Sequence, residues 1–174
     1  GYYGVNVWLL TEPAEAVQLK AGLTPQGEDL SLSEVQLAIE EENSITWVCQ
    51  AGVHHLSNQV NPQKLPLGER FPQAQSQLVL PLKIAQKNVG ALEILSAQAS
   101  AFTEEDIVLL RSLADQVTIA IRNATLYQSE QSRRRFAETL YQIGYALSST
   151  IQLDEVLEQI LRHLVNILYE RNDL

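Results

Sequence analysis

The chain has 174 residues, 45% of them apolar, and carries 21 acidic side chains against 12 Lys and Arg, a formal net charge of −9. That is enough for one domain with a sizeable core plus an appendage, and the single Cys49 excludes an internal disulfide framework and points to a reducing cytoplasm. The negative balance repels phosphate backbones, the short basic cluster Arg133, Arg134, Arg135 lacks an aromatic platform, and no apolar stretch approaches the roughly 18 residues that cross a bilayer, so neither nucleic acid nor direct membrane insertion is expected.

The sequence opens at Gly1 without an initiator Met or a leader pattern and runs at once into the apolar Val5 to Leu10, which suggests a segment cut from something longer. Thr11 to Glu15 breaks that run, and Ala16 to Lys20 resumes an alternation, the pattern of a hairpin. Beyond the loop residues Gly22, Pro25 and Gly27, the apolar Val35, Leu37 and Ile39 alternate with polar neighbours as a half-buried strand would. Asn43 or Ser44 can cap a short helix over Ile45 to Gln50, with Gly52 placed to stop it in a left-handed conformation. A fourth strand is expected over Val53 to Leu56, and Asn61 to Pro72, with its three prolines, reads as a long irregular loop.

Leu78, Leu80, Leu82 and Ile84 fall on one face of the next segment, and a Gln86-Lys87-Asn88 turn is expected to reverse it into Val89 to Leu95. Gly90 inside the returning strand weakens it unless something must come close there, and a helix is expected to pack over it. Thr103 with Asp106, and Phe102 with Ile107, form a capping and stapling pattern that starts a long helix. Along it Ile107, Leu110, Ala114, Val117, Ile121 and Ala124 recur at steps of three and four. The seam then fails at Gln128, Gln131 and Arg135, and a new stripe of Phe136, Leu140, Ile143 and Leu147 starts out of phase, the mark of a boundary between packing units. After Ser148-Ser149-Thr150 a further helix, about Leu153 to Tyr169, places Val156, Ile160, Leu164 and Ile167 on one face that needs a partner.

The runs Leu78 to Ile84 and Val89 to Ser96, then Ala101 to Asp106 and Leu113 to Ala124, resemble the C-terminal half of a GAF domain. Tyr2 to Ser57 resembles that family in order of elements and in the Ser44 to Gly52 helix, and Thr139 to Thr150 followed by Leu153 to Leu157 resembles the opening helices of a second such domain. The resemblance implies an α+β fold with a central antiparallel sheet of five or six strands, helices packed on one face, a small-molecule pocket on the other and a long C-terminal exit helix. It divides the chain into a GAF-like domain over 1–127 that lacks its N-terminal helix, a linker or signalling helix over 128–150, and the opening helix of a following domain over 151–174. The helix from Leu153, or its counterpart in a partner chain, is expected to fill the gap left by the missing helix.

No Gly-rich phosphate loop, HExxH, cysteine pair or spaced nucleophile and base is present, so no catalytic residue is assigned and the segment is expected not to be an enzyme. Glu40, Glu41 and Glu42 read as a solvated face. Cys49, His54 and His55 are chemically able to ligate iron or zinc, but with no second Cys they read as packing residues and no metal is assigned. Bilin attachment is disfavoured because Phe71 to Gln77 holds no Cys, and cyclic nucleotides because Ser96-Ala97 stand where such relatives carry Asn-Lys. Trp47, Cys49, His54, His55, Arg70 and Ser76 are the ligand-pocket candidates, with ligand and cofactor unidentified. What the resemblance implies as function is a sensory and dimerisation module of a cytoplasmic signalling protein, a histidine kinase in most proteins resembling this one. It would act as a parallel homodimer that relays ligand occupancy through the long helix to an output domain in the same chain. A haem or metal redox sensor and a regulatory domain of a cyclic-di-nucleotide enzyme are the alternatives.

Overall fold

The alternation that marks Leu78 to Ile84 becomes the spine of a sheet. In a computed structural model of the chain, which describes residues 2–31, 33–150 and 153–170 (the side chains of 147–156 and 166–170 excepted), β1 (Tyr2–Leu10), β2 (Ala16–Leu23), β3 (Gln36–Ala38), β4 (His55–Ser57), β5 (Ser76–Ile84) and β6 (Lys87–Ser96) pair antiparallel in the order β3-β2-β1-β6-β5-β4. The helices are α1 (Ser44–Ala51), α2 (Glu104–Thr150) and α3 (Leu153–Glu170). By internal contacts the chain forms two units, 1–123 and 124–174.

Within the first unit, strand alternation sorts the core into two layers. On one face Leu78, Leu80, Leu82, Leu92 and Ile94 pack with Phe102, just ahead of α2, and with Ile107, Leu110 and Ala114 from its start. On the other, Trp8, Val17, Leu19, Val79, Ala91 and Leu95 pack with Ile45, Val48 and Cys49 of α1 and with Leu30, Phe71 and Ala74 from loops. The two faces of the sheet are thus covered separately, one by the start of α2 and the other by α1 and two loops.

The helix starts follow their caps. Asn43, not Ser44, caps α1, accepting from Ile45 N and Thr46 N at 3.0 Å each, and Gly52 ends it at φ 69°. Ahead of α2, Thr103 N donates to Asp106 Oδ2 at 2.9 Å and Asp106 N to Thr103 Oγ1 at 3.2 Å, with Phe102 and Ile107 both buried beside them.

Three local expectations are corrected. The β5–β6 reversal is a two-residue turn at Ala85-Gln86, both at positive φ, with Ile84 paired to Lys87. That is the hairpin geometry whose twist matches the strands, and Asn88 is drawn out of the turn because its amide donates to Cys49 O at 2.9 Å. What comes close to Gly90 is a strand, not a helix: a Cβ there would lie 2.0 Å from Trp8 O, because Gly90 pairs with Leu9 of β1. The fourth strand begins two residues late, at His55, since Gly52 leaves α1 in a left-handed turn and Val53 is exposed.

Along α2, Ile107, Leu110 and Ala114 are buried, Val117 and Ile121 half-buried, and Ala124 exposed. In the second unit Phe136, Leu140 and Ile143 are exposed, as are Leu157, Ile160, Leu161, Leu164 and Val165 of α3. The side chains of Leu147, Val156 and Ile167 lie outside the described residues.

Candidate functional site

Strands β1 and β6 put Asn6 directly opposite Glu93 on the face covered by α1. Neither is a residue such a face ordinarily holds, and both are buried, Asn6 at 0% and Glu93 at 2% exposure. The Glu93 carboxyl accepts three hydrogen bonds, from Asn6 Nδ2 at 2.9 Å and Trp8 Nε1 at 3.1 Å on Oε2, and from Gln77 Nε2 at 2.6 Å on Oε1. Gln77 in turn accepts from Ser44 Oγ at 2.8 Å, which ties the group to the first turn of α1.

Burial pushes the Glu93 carboxyl above the usual range, against the downward pull of the bonds from Asn6, Gln77 and Trp8. All three partners are neutral and all three donate, so they match a carboxylate. No Lys, Arg or His among the described residues forms an ion pair with it. Buried charges are ordinarily paired. Asn6 Oδ1, beside this acid, is buried with no hydrogen-bond partner among the described residues.

Two loops close over the cluster. Leu30 comes from the segment 24–31, and its N–H donates to Gly22 O at 2.9 Å; Gly22 pairs with Asn6, and a Cβ on it would lie 2.4 Å from Asn6 Oδ1 and 3.2 Å from Leu30 Cβ. Phe71 comes from the loop after β4 and lies over Gly4, where a Cβ would come within 2.2 Å of the ring. The absent side chains of Gly4 and Gly22 make the room that Phe71, Leu30 and Asn6 occupy. Across the rim, Arg70 donates to Glu28 at 2.6 Å, linking the two loops.

The six pocket candidates read from the sequence are not brought together. Trp47 and His55 meet edge to face, ring centres 5.7 Å apart, beside an open groove of about 670 Å³ that is also lined by Glu40, Glu41, Glu42 and Gln50. His55 also shares a 2.9 Å hydrogen bond with Ser57. His54 lies apart, 3.3 Å from an Arg111 nitrogen. Cys49 is inside the apolar core, and burial pushes its thiol up to about 12, so it is not a thiolate at neutral pH. Ser76 is buried and donates to Gln98 O at 2.7 Å. Arg70 is at the rim of the closed face through its pair with Glu28. Among the described residues no group of His, Cys, Asp and Glu is arranged to hold a metal ion, and no helix is long and apolar enough to cross a membrane.

Sequence reasoning missed Asn6, Trp8, Gln77 and Glu93. The available signal was Glu93 between Leu92 and Ile94, and Asn6 between Val5 and Val7, each a polar residue where strand parity calls for an inward side chain.

Comparison with known proteins agrees with this architecture. The family model described as GAF domain matches residues 8–122. The chain is 27% identical over 97 residues to the DNA-binding transcriptional activator HyfR of Escherichia coli (strain K12), a match over 49% of this chain but only 14% of that protein. Among solved structures, the GAF domain of an Acinetobacter phosphoenolpyruvate-protein phosphotransferase superposes with a TM-score of 0.56 at 24% identity, covering 72% of this chain and 74% of the other. The type II free methionine-R-sulfoxide reductase of Thermoplasma acidophilum superposes with a TM-score of 0.56 at 23% identity, covering 70% and 80%. At these identities the two structures speak for the fold alone. With two thirds of its length inside the family match and its sheet, short helix and exit helix in the corresponding order, the chain belongs to the GAF domain family, a family of regulatory small-molecule sensor modules.

Proposed function

We propose that this segment is a sensor and dimerisation module of a cytoplasmic signal-transduction protein, in which a small molecule on the α1 face of the sheet biases the position of α2. The observation that carries this reading is the continuity of α2, whose Ile107, Leu110 and Ala114 pack on the back of β5 and β6 while the same helix runs on to Thr150. A change at the sheet is thereby coupled to a helix that continues past its last residue packed there. Past Ala124 the helix carries the exposed Phe136, Leu140 and Ile143, a stripe suited to a twin helix in a parallel homodimer, with the apolar face of α3 covered in the same assembly.

The output domain follows in the same chain, a histidine kinase being the favoured class. HyfR, named as a transcriptional activator, supports a DNA-binding output as the competing one. In neither case does the present segment do chemistry: its sole thiol is buried and protonated, which also weighs against the alternative of a metal or haem redox sensor using Cys49, His54 or His55. A regulatory domain of a cyclic-di-nucleotide enzyme would use the same device with another output.

Sedimentation equilibrium and native mass spectrometry of the segment test this reading. A dimer that loses affinity on Leu140→Glu, together with a co-purifying small molecule, is the expected result. A monomer at high concentration, still monomeric when the helix is extended, removes the relay.

A further inference from the structure

Resting on the sensor reading, the chemistry of the closed face narrows the ligand. We propose that the site beneath Leu30 and Phe71 binds a small organic cation, an ammonium or amidinium group on an apolar body, with Glu93 as its counter-charge and Asn6 Oδ1 as its second acceptor. Three observations converge on this. Glu93 is a carboxyl 2% exposed whose three partners are all neutral donors, leaving it without a cation among the described residues. Asn6 Oδ1, fully buried and next to it, meets no donor among the described residues. A ligand bearing N–H groups and positive charge would satisfy both at once, whereas an anion would be repelled by Glu93 and a neutral acceptor would leave Asn6 Oδ1 orphaned. The room for the apolar body is at present filled by the side chains of Leu30 and Phe71, each seated over a glycine, Gly22 and Gly4.

Both plugs are carried by loops rather than by the sheet, and the loops are joined by the Arg70–Glu28 pair, whose side chains are 52% and 50% exposed. A half-exposed ion pair of this kind is weak and easily parted. Ligand entry then consists of releasing that pair, swinging Phe71 and Leu30 off Gly4 and Gly22, and replacing their buried surface with that of the ligand. Ser44 bonds to Gln77, and Gln77 to Glu93, so a charge held at Glu93 is also communicated to the start of α1.

The test is an NMR titration of the intact 174-residue chain, read at the indole N–H of Trp8, which donates to Glu93; Trp47→Phe assigns that resonance by removing the only other indole. The probes are 3-methylbutylammonium, the isosteric neutral 3-methylbutanol and the anionic 4-methylpentanoate. The ammonium should shift Trp8 saturably and bind at least about tenfold more tightly than the alcohol, with no shift from the carboxylate. Glu93→Gln should abolish that preference while the Trp8 signal stays dispersed. If Glu93→Gln fails to fold, Asn6→Ala should weaken ammonium binding in a folded protein, and unchanged affinity there overturns the proposal. Glu28→Ala should tighten ammonium binding by freeing the loops. Equal binding of alcohol and ammonium, or binding of the carboxylate, overturns the cationic class but leaves the sensor reading standing. Absence of any Trp8 shift with the ammonium overturns the site. A molecule without basic nitrogen co-purifying on the chain likewise rejects the cation and keeps the sensor.

Discussion

Arg70 Nη1 lies 2.6 Å from Glu28 Oε1, and this pair joins the two loops whose Leu30 and Phe71 are buried over the Asn6–Glu93 face. It is half exposed, so removing it alone changes global stability by less than about 1 kcal/mol. Its effect is local. Arg70→Ala and Glu28→Ala should speed amide hydrogen exchange at Leu30, bonded to Gly22 O, and at Phe71, bonded to Gly68 O, while the amides of β5 and β6 exchange as before. Exchange unchanged at Leu30 and Phe71 would show that packing alone closes the loops.

The buried carboxyl gives stability a defined pH dependence. Burial raises Glu93 above a glutamate's ordinary 4.5, so the folded chain holds that proton more tightly than the unfolded one. The contribution is fully present below 4.5 and is lost as pH rises through the raised folded value. Asp29 and Asp106 are held below their ordinary 3.8 by bonds from Ser31 and Thr103 and act in the opposite sense, their contribution being lost as pH falls through their lowered values. Urea unfolding from pH 4 upward should therefore show the difference between wild type and Glu93→Gln shrinking or reversing as Glu93 ionises. A constant difference across that range would mean that the three donors fully compensate for burial.

At Ala85-Gln86 two residues with side chains occupy the left-handed region, at φ 46° and 72°, where Asn-Gly is the favoured pair. The double replacement Ala85→Asn, Gln86→Gly should stabilise the domain by about 1 kcal/mol, because glycine at 86 removes one left-handed Cβ and Asn tolerates that region better than Ala. Both side chains are exposed, so little packing is lost. A guanidinium midpoint that does not rise would show strain relieved elsewhere in the hairpin.

The same turn illustrates which parts of the molecule were legible in the sequence. Alternation over Leu78 to Leu95, the Thr103 cap and the Gly52 stop report local rules, and each operates within a few residues. The turn was misplaced because Gln86-Lys87-Asn88 is the more polar stretch, yet Asn88 is claimed by Cys49 O, 39 positions away in sequence. The site was illegible for a similar reason. Glu93, Asn6, Trp8 and Gln77 meet only through the pairing of β6 with β1 and β5, and no local pattern encodes that register. Trp47, His54 and His55 attracted notice by residue type, but α1 turns Trp47 outward to His55, and His54 meets Arg111 instead.

Two glycines that look alike in sequence should respond oppositely to alanine. Gly90 pairs with Leu9 inside the sheet, and an added Cβ would lie 2.0 Å from Trp8 O and 2.9 Å from Leu9 Cδ2. Backbone must move to admit it, so Gly90→Ala should destabilise by about 2 kcal/mol or more, and it should disturb Trp8 and with it the Glu93 cluster. Gly144 lies within α2, where an added methyl group would meet nothing within 4 Å. There Gly144→Ala removes only the entropic penalty of glycine in a helix, and should strengthen that stretch by about 1 kcal/mol. Circular dichroism on heating should show the gain in the helical signal of the 124–150 stretch with the sheet transition unmoved. If α2 transmits ligand occupancy by local loosening around Gly144, the alanine variant should bind the ammonium probe at Trp8 as before while its response at the far end of the helix, read by hydrogen exchange between 136 and 147, is blunted. An undiminished response would place the relay in rigid movement of the whole helix rather than in its softness.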